Sequence, residues 1–285
     1  MFYTEHAPHP SLAMHVRCLW AFESSPADGA REIQTVVPDG YPEMVLHYGD
    51  RCHEIGAGGI LKRQSRFVFA GQLSAALSLQ PGAHAGMIGI RLQPVGARAF
   101  LGMSMLETTD RRLDLADVWA HESTDLIDAT GNAGSVDARL NVVERFLLKK
   151  LAQTRTKPDA AVSHGVGLLQ SAEGRLSIDA LAARCGLSAR QLERRFLAEV
   201  GIPPRLLASI FRFRRVFDLL EQPQSGRWVS AAIGAGYFDQ AHMIRDFKRF
   251  SGQQPQAFYR SLNGLSAAMV GSDAQAIGVL NEAAS

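Results

Sequence analysis

The sequence predicts an α+β chain of two domains: a β-rich barrel or sandwich with attendant helices, then an all-α domain of two helix-turn-helix units joined by a long helix. Three observations carry that expectation. Short apolar runs of period two, broken by glycine and proline turns, fill residues 11–92. Beyond residue 159 the apolar positions recur at three and four residue intervals. Between these regimes lies "AQTRTKPD" (152–159), with few apolar anchors and a proline, where a linker fits. At 285 residues and 46% hydrophobic content, the chain can bury two cores. The boundaries read as a first domain at 1–152, a linker at 153–164, a second domain at 165–262 and a tail at 263–285, either frayed and flexible or a loosely docked helix.

In the first domain Leu12, Met14, Val16, Cys18, Trp20 and Phe22 alternate with less apolar neighbours, the pattern of a half-buried strand. "REIQTVV", "EMVLHY", "RFVFAG", "AALSLQ" and "MIGIRL" repeat it, and "PDGYP", "GAGG" and "PGAHAG" supply turn chemistry between them. Six short strands fit a sandwich or a small barrel. After "LQPVGARAFLG" the period changes, so 94–102 and 137–152 read as helices packed on the β part.

In the second domain Ser177 and Ser188 stand where a side-chain oxygen can cap the first turn of a helix, and Gly186 and Gly201 stand where helices stop. "PPRLLASIFRFRRVFDLLEQ" opens with prolines tolerated at a helix start and runs about 19 residues, on the order of 28 Å at 1.5 Å per residue. Val229–Ala235, Gly236, Asp239–Phe250 and Gly252 then repeat the short helix, glycine turn and second helix of residues 177–201.

Charge divides the same way. Residues 1–173 hold 16 Lys and Arg against 19 Asp and Glu, whereas residues 174–262 hold 14 against 7, and 13 of those 14 cations are arginines. A basic, arginine-rich segment points to a polyanion, since the planar guanidinium suits phosphate and guanine. No apolar run reaches the roughly 18 residues that cross a bilayer, and the start lacks a basic segment followed by an apolar one, so a cytoplasmic address is expected. Cys18, Cys52 and Cys185 form no CxxC pair and read as reduced, buried thiols. No nucleophile elbow or phosphate loop appears, so neither an enzyme nor a cofactor is expected.

Helical spacing sorts the side chains of the repeated device. Leu192 and Phe196 fall on a core face with Leu181 and Leu187; Met243, Phe247 and Phe250 do the same in the second copy, and Ile210, Phe213, Val216 and Leu220 form the stripe of the strut. The opposite faces carry Arg190, Glu193 and Arg194, and Gln240, Ala241, Ile244 and Arg245. These suit base edges in the major groove: arginine for guanine, glutamine for adenine, apolar groups for the thymine methyl. Ser188, Arg195, Lys248 and Arg249, with the helix start at Asp239, suit phosphates. A strut of this length approaches the roughly 34 Å between successive major-groove faces.

"AAIGAGYFDQAHMIRDFKRFSGQQPQAFYR" resembles the C-terminal signature of the AraC/XylS family of bacterial transcription regulators, at Ala231, Ala232, Gly236, Tyr237, His242, Arg245, Phe247, Lys248, Gly252, Pro255, Phe258 and Arg260. "LAARCGLSARQLERRFLAEVGIPP" is similar to that family's other helix-turn-helix, so the resemblance covers about residues 165–262. Gln254 departs from the serine or threonine common at its slot. The resemblance implies double-stranded DNA as partner, RNA polymerase if the protein activates, and an N-terminal module that senses a small molecule or pairs two copies.

In that module "VVPDGYPEMVLHYGD", "FAGQL" and "IGIRLQPVGARAFLG" resemble an uncharacterised N-terminal domain of some family members. An effector pocket is expected near Tyr41, Glu43, Gln72 and Arg91, which otherwise fix turns and close the sheet. His47, Cys52, His53 and Glu54, with His84, lie close enough in sequence to suggest a metal, but their spacing reads better as surface histidines and a buried thiol. Two rivals to an effector-modulated regulator remain open: a metal-dependent β-barrel enzyme fused to a DNA-binding domain, and a ligand-free dimerising regulator.

Overall fold

The computed structural model describes residues 1–28, 32–220 and 228–262. The alternating segments form β1 (Phe2–His6), β2 (Val16–Ser24), β3 (Gln34–Val36), β4 (Glu43–His47), β5 (His53–Ile55), β6 (Leu61–Arg63), β7 (Phe67–Ala70), β8 (Leu77–Gln80), β9 (Ala85–Leu92) and β10 (Arg112–Asp114). They pair antiparallel into a six-stranded sheet, β1-β2-β9-β4-β7-β10, and a four-stranded sheet, β3-β8-β5-β6. Among the described residues the two sheets do not close into a barrel.

Helices α1 (Ala97–Leu101), α2 (Leu115–Trp119), α3 (His121–Asn132) and α4 (Val136–Gln153) complete this domain. Leu19, Met44, Phe69 and Ile88 of the larger sheet share a core with Leu126, Val143 and Leu147 of the helices. The alternate positions Cys18, Trp20, Phe22 and Met87 form a second core on the sheet's other side. β9 is therefore buried along its whole length, not half-buried as period two implies. At about 1.5–3 kcal/mol per large apolar side chain, burial on both faces makes this sheet the anchor of the domain.

Several expected boundaries shift. The strand expected from Leu12 starts at Val16, because residues 10–12 form a 3-10 turn whose start is capped by the His9 ring. The sequence does not predict strands β1, β5, β6 and β10; they are three to five residues long, too short for alternation to show, and β6 and β10 are mostly charged. Residues 160–164, expected in the linker, open α5 (Ala160–Ser171), since Asp159 accepts from the N–H groups of Ala161 and Val162 at 2.9 and 3.2 Å. Cys185 is half-buried rather than buried. The tail at 263–285 lies outside the described residues.

The helical domain continues with α6 (Ile178–Arg184), α7 (Ala189–Glu199), α8 (Pro204–Leu220), α9 (Trp228–Gly234), α10 (Gln240–Ser251) and α11 (Pro255–Ser261). Ser188 caps α7 in a reciprocal box with Gln191. Gly186 and Gly236 take φ of 65° and 85° at the two helix-turn-helix bends, a region that other residues enter at a cost of about 1–2 kcal/mol. Phe213 of α8 meets Phe217, Phe247 and Phe250 at ring separations of 5.1, 4.8 and 5.2 Å.

The two domains share packed surface. Val37 and Val95 of the first belong to the core of the second. A Cβ at Gly40 would lie 2.8 Å from Phe211 and 2.9 Å from Leu207 of α8, so the 37–41 turn presses its bare backbone on the strut. Arg98 pairs with buried Glu199 at the end of α7, and Thr109 donates its hydroxyl to the Gly201 carbonyl at 2.7 Å. The Tyr41 hydroxyl accepts from Gln170 of α5 at 3.2 Å.

Candidate nucleic-acid interface and inter-sheet cavity

Two helices of opposite character on their two faces form the candidate interface. In the first unit Leu181, Leu192 and Phe196 are fully buried and Leu187 packs partly on the same core. On the outer side of α7, Arg190, Glu193 and Arg194 are exposed, with the Arg190 and Arg194 positions one turn apart. In the second unit Met243, Phe247 and Phe250 are buried, while Gln240, Ala241, Arg245, Lys248 and Arg249 are exposed and Ile244 is half-buried. Neither outer face is covered by the N-terminal domain.

The residues expected at phosphates divide. Lys248 and Arg249 stand in the last turn of α10, where a cation also favours the helix dipole. Ser188 is occupied by its cap. Arg195 pairs with Asp159 at 3.2 Å and would have to leave it to meet DNA. Sequence reasoning passed over Phe238, which is 91% exposed immediately before the cap of α10. Its signal was available: an aromatic just outside a helix start, with the core positions already taken by Tyr237 and Met243.

α8 spans 17 residues, about 25 Å, and carries one unit at each end. Ile210, Phe213 and Val216 are buried as expected, and Leu220 is partly so.

In the first domain the residues expected to form an effector pocket do not all converge. Tyr41 and Glu43 line a cavity of about 70 Å³ between the two sheets, whose walls include Trp20, Val45, Val68 and Leu79. Arg91 lines an adjoining polar cleft between the domains, which shares Asp39 and Tyr41 with the cavity. Gln72 lines neither; it is buried and its amide donates to the Gly40 carbonyl at 2.8 Å, fixing that turn. Arg91 holds Glu43 at 2.9 Å, Glu5 at 3.4 Å and Asp39 at 3.6 Å. Burial opposes its charge, but Glu43 and Asp39 outweigh that and push its pKa above the ordinary arginine range.

His47, expected at the surface, is fully buried at the cavity wall. β4 explains this, because Glu43, Val45 and His47 fall on one face at period two. Burial lowers the His47 pKa to about 4, against a smaller raising effect of Gln64, so the ring is neutral. Cys52 is buried as expected. Among the described residues, no three His, Cys, Asp or Glu side chains are grouped to hold one metal ion, and no helix is long and apolar enough to cross a membrane.

Comparison with known proteins divides the chain the same way. Residues 4–114 match a family described as a domain of unknown function. Residues 181–261 match a family described as a helix-turn-helix domain. No curated protein sequence matches. Among solved structures, ToxT from Vibrio cholerae is similar at 10% identity over 93% of this chain and 100% of its own, with a TM-score of 0.47. ToxT of strain SCE256 bound to an unsaturated fatty acid aligns at 12% identity over 86% of this chain and 95% of its own, TM-score 0.46. The AraC-like transcriptional activator CuxR aligns at 17% identity over 75% of this chain and 78% of its own, TM-score 0.25.

Proposed function

We propose, from the premise that residues 181–261 of this chain are an AraC-type helix-turn-helix domain, that the protein is a sequence-specific transcription regulator whose α7 and α10 read adjacent major grooves of one duplex. The observation that carries this reading is the pair of outward faces. Each bears exposed arginines, each is open apart from the half-buried Ile244 of α10, and one strut of about 25 Å joins the units that display them. Arg190, Glu193 and Arg194 on α7, and Gln240, Ala241, Ile244 and Arg245 on α10, are the base readers in this reading. Lys248, Arg249, Arg195 and the helix start at Ser188 hold the phosphate backbone.

The N-terminal domain modulates this activity through the shared surface at residues 37–41, 98 and 109. It does so on binding a small molecule, and the regulator works in the cytoplasm, as a pair of copies where its site is a repeat and with RNA polymerase where it activates.

Selection of bound sequences from a random DNA pool, followed by Arg194→Ala and Arg245→Ala, tests the assignment. Each change should cost about 1–3 kcal/mol on the selected site and relax base choice at one position. Equal loss on selected and random DNA would move these arginines to the phosphates. Affinity should also fall steeply and linearly with salt on logarithmic axes; indifference to salt would sink the reading.

A further inference from the structure

The last strands of the two sheets, β6 and β10, line one polar cleft of about 340 Å³, a volume in the range of small-molecule sites. Arg51, Lys62, Arg63 and Arg112 stand around it against Glu54 and Asp114, and Val68 is the one apolar residue in its wall. A neighbouring cleft of about 240 Å³ shares Arg51 and Arg63 and adds Arg66. Five of the 16 cations of residues 1–173 therefore gather here, although acids outnumber cations over that stretch. The carboxylates of the walls do little to neutralise them. Asp50 accepts from the His84 N–H and Asp114 from the Ala116 N–H, each at 2.9 Å. Glu54 accepts from the Gln64 amide at 2.9 Å and faces Arg112 Nε at 3.3 Å. Among the described residues no carboxylate pairs with Arg51, Lys62, Arg63 or Arg66. Two of these are nevertheless held in place: Arg51 donates to the Gln64 carbonyl at 3.3 Å and Arg66 to the Gly49 carbonyl at 2.8 Å. A neutral carbonyl orients a guanidinium without cancelling its charge. Lys62, Arg63 and Arg66 are exposed, so their charged ends meet solvent. Like charges gathered in this way repel one another until an anion joins them.

We propose that this cleft binds a small polar molecule carrying a phosphate monoester, with Arg51, Lys62 and Arg63 around the phosphate. Such a group carries about −1.5 to −2 charge at pH 7 and three strong acceptor oxygens. It therefore satisfies several guanidinium forks at once, where a single carboxylate satisfies one. The polar wall calls for a polar body, and a sugar phosphate has that character. Two short lobes, in place of a continuous groove, favour a small molecule over the backbone of a nucleic acid. β10 supplies the route outward. It begins three residues after Thr109, whose hydroxyl holds the Gly201 carbonyl, and the 105–108 turn packs on α7. A guest that moves β10 at the cleft moves the seat of the first reading helix. This last step rests on the DNA-binding function proposed above; the cleft itself does not.

The test uses the full-length protein, titrated calorimetrically at constant ionic strength with glucose 6-phosphate, with glucuronate, which has a similar ring and one carboxylate, with glucose and with inorganic phosphate. Glucose 6-phosphate should bind saturably and at least about tenfold tighter than each of the others. Arg51→Gln and Arg63→Gln should each weaken it at least about tenfold, the effect of losing a charge-assisted hydrogen bond. Arg63 is exposed and has no ion pair among the described residues, so its replacement tests the site without disturbing the fold. Arg145→Gln, at an exposed arginine of α4 outside the cleft, should leave the affinity unchanged. No saturable binding, equal binding of glucuronate, or indifference to Arg51→Gln and Arg63→Gln would each overturn the site. Equal binding of inorganic phosphate would assign the cleft to the free ion and overturn the ester. If the same two changes weaken binding of random duplex DNA as much as that of glucose 6-phosphate, the cleft belongs to the DNA backbone and the proposal falls. Glucose 6-phosphate that binds at Arg63 yet leaves affinity for the selected DNA unchanged would overturn the coupling. Failure of the protein to select any DNA would count against the regulator reading alone and leave the titration to be judged by itself.

Discussion

Replacing Phe247 by alanine should open the second reading unit and leave the first closed. Phe247 is fully buried and its ring lies 4.8 Å from Phe213, 5.5 Å from Phe217 and 6.0 Å from Trp228. Truncating such a side chain costs about 3–5 kcal/mol, the lost ring contacts included. Taking about 4 kcal/mol, opening of α9 and α10 becomes on the order of 10³ times more frequent. α7 should be largely spared, because it packs mainly on the 105–108 turn of the N-terminal domain, α5 and α6, with a smaller contact on α8, whereas α10 packs on α8, α9 and α11. Amide hydrogen exchange reads this directly. Protection in α9 and α10 should fall by about three orders of magnitude while that in α7 stays within a factor of a few, and the footprint on the selected DNA should lose one half. If α7 loses as much protection as α10, the two units open as one body, and the picture of separable readers on a common strut is wrong.

Phe238→Ser should leave stability within about 0.5 kcal/mol, since the ring is 91% exposed, yet change the selected motif at one position; an unchanged motif would remove Phe238 from the interface. Gly236→Ala should destabilise the second unit by about 1–2 kcal/mol, because φ is 85° and the new methyl would lie 2.6 Å from the Arg175 side chain; an unaltered melting temperature would refute this. His47 contributes a pH dependence whose sign is fixed: its pKa falls from 6.5 unfolded to about 4 folded, so the unfolded chain takes up the proton first. Stability should therefore drop by on the order of 3 kcal/mol as pH falls from about 7 to 4. In His47→Phe that part of the slope should disappear; an identical slope would place the lost stability elsewhere.

The helical domain was the more legible half of the sequence. Serines, glycines and prolines there punctuate helices whose core positions repeat at three and four residues, so Leu192, Phe196, Met243 and Phe247 declared their faces before any coordinates. The exposed sides followed by subtraction. The β domain was harder because β2 and β9 are covered on both sides, by helices and by the second sheet, which removes the polar half of the alternation. Strands as brief as His53–Ile55 carry too few residues for any period to show. His47 was misjudged for a related reason: a histidine near a cysteine suggests metal chemistry in one dimension, whereas its place opposite Gln64 exists only once β4 and the loop after β6 are brought together.

Val37 and Val95 have a consequence for anyone who cuts the chain. The polar stretch at 154–159 invites scissors, but the oily seam between the halves is sewn through these two valines, Leu207 and Phe211. A fragment beginning at residue 160 would carry that seam bare into water. Its stickiness would then be a wound of the excision, with no bearing on how the intact molecule behaves.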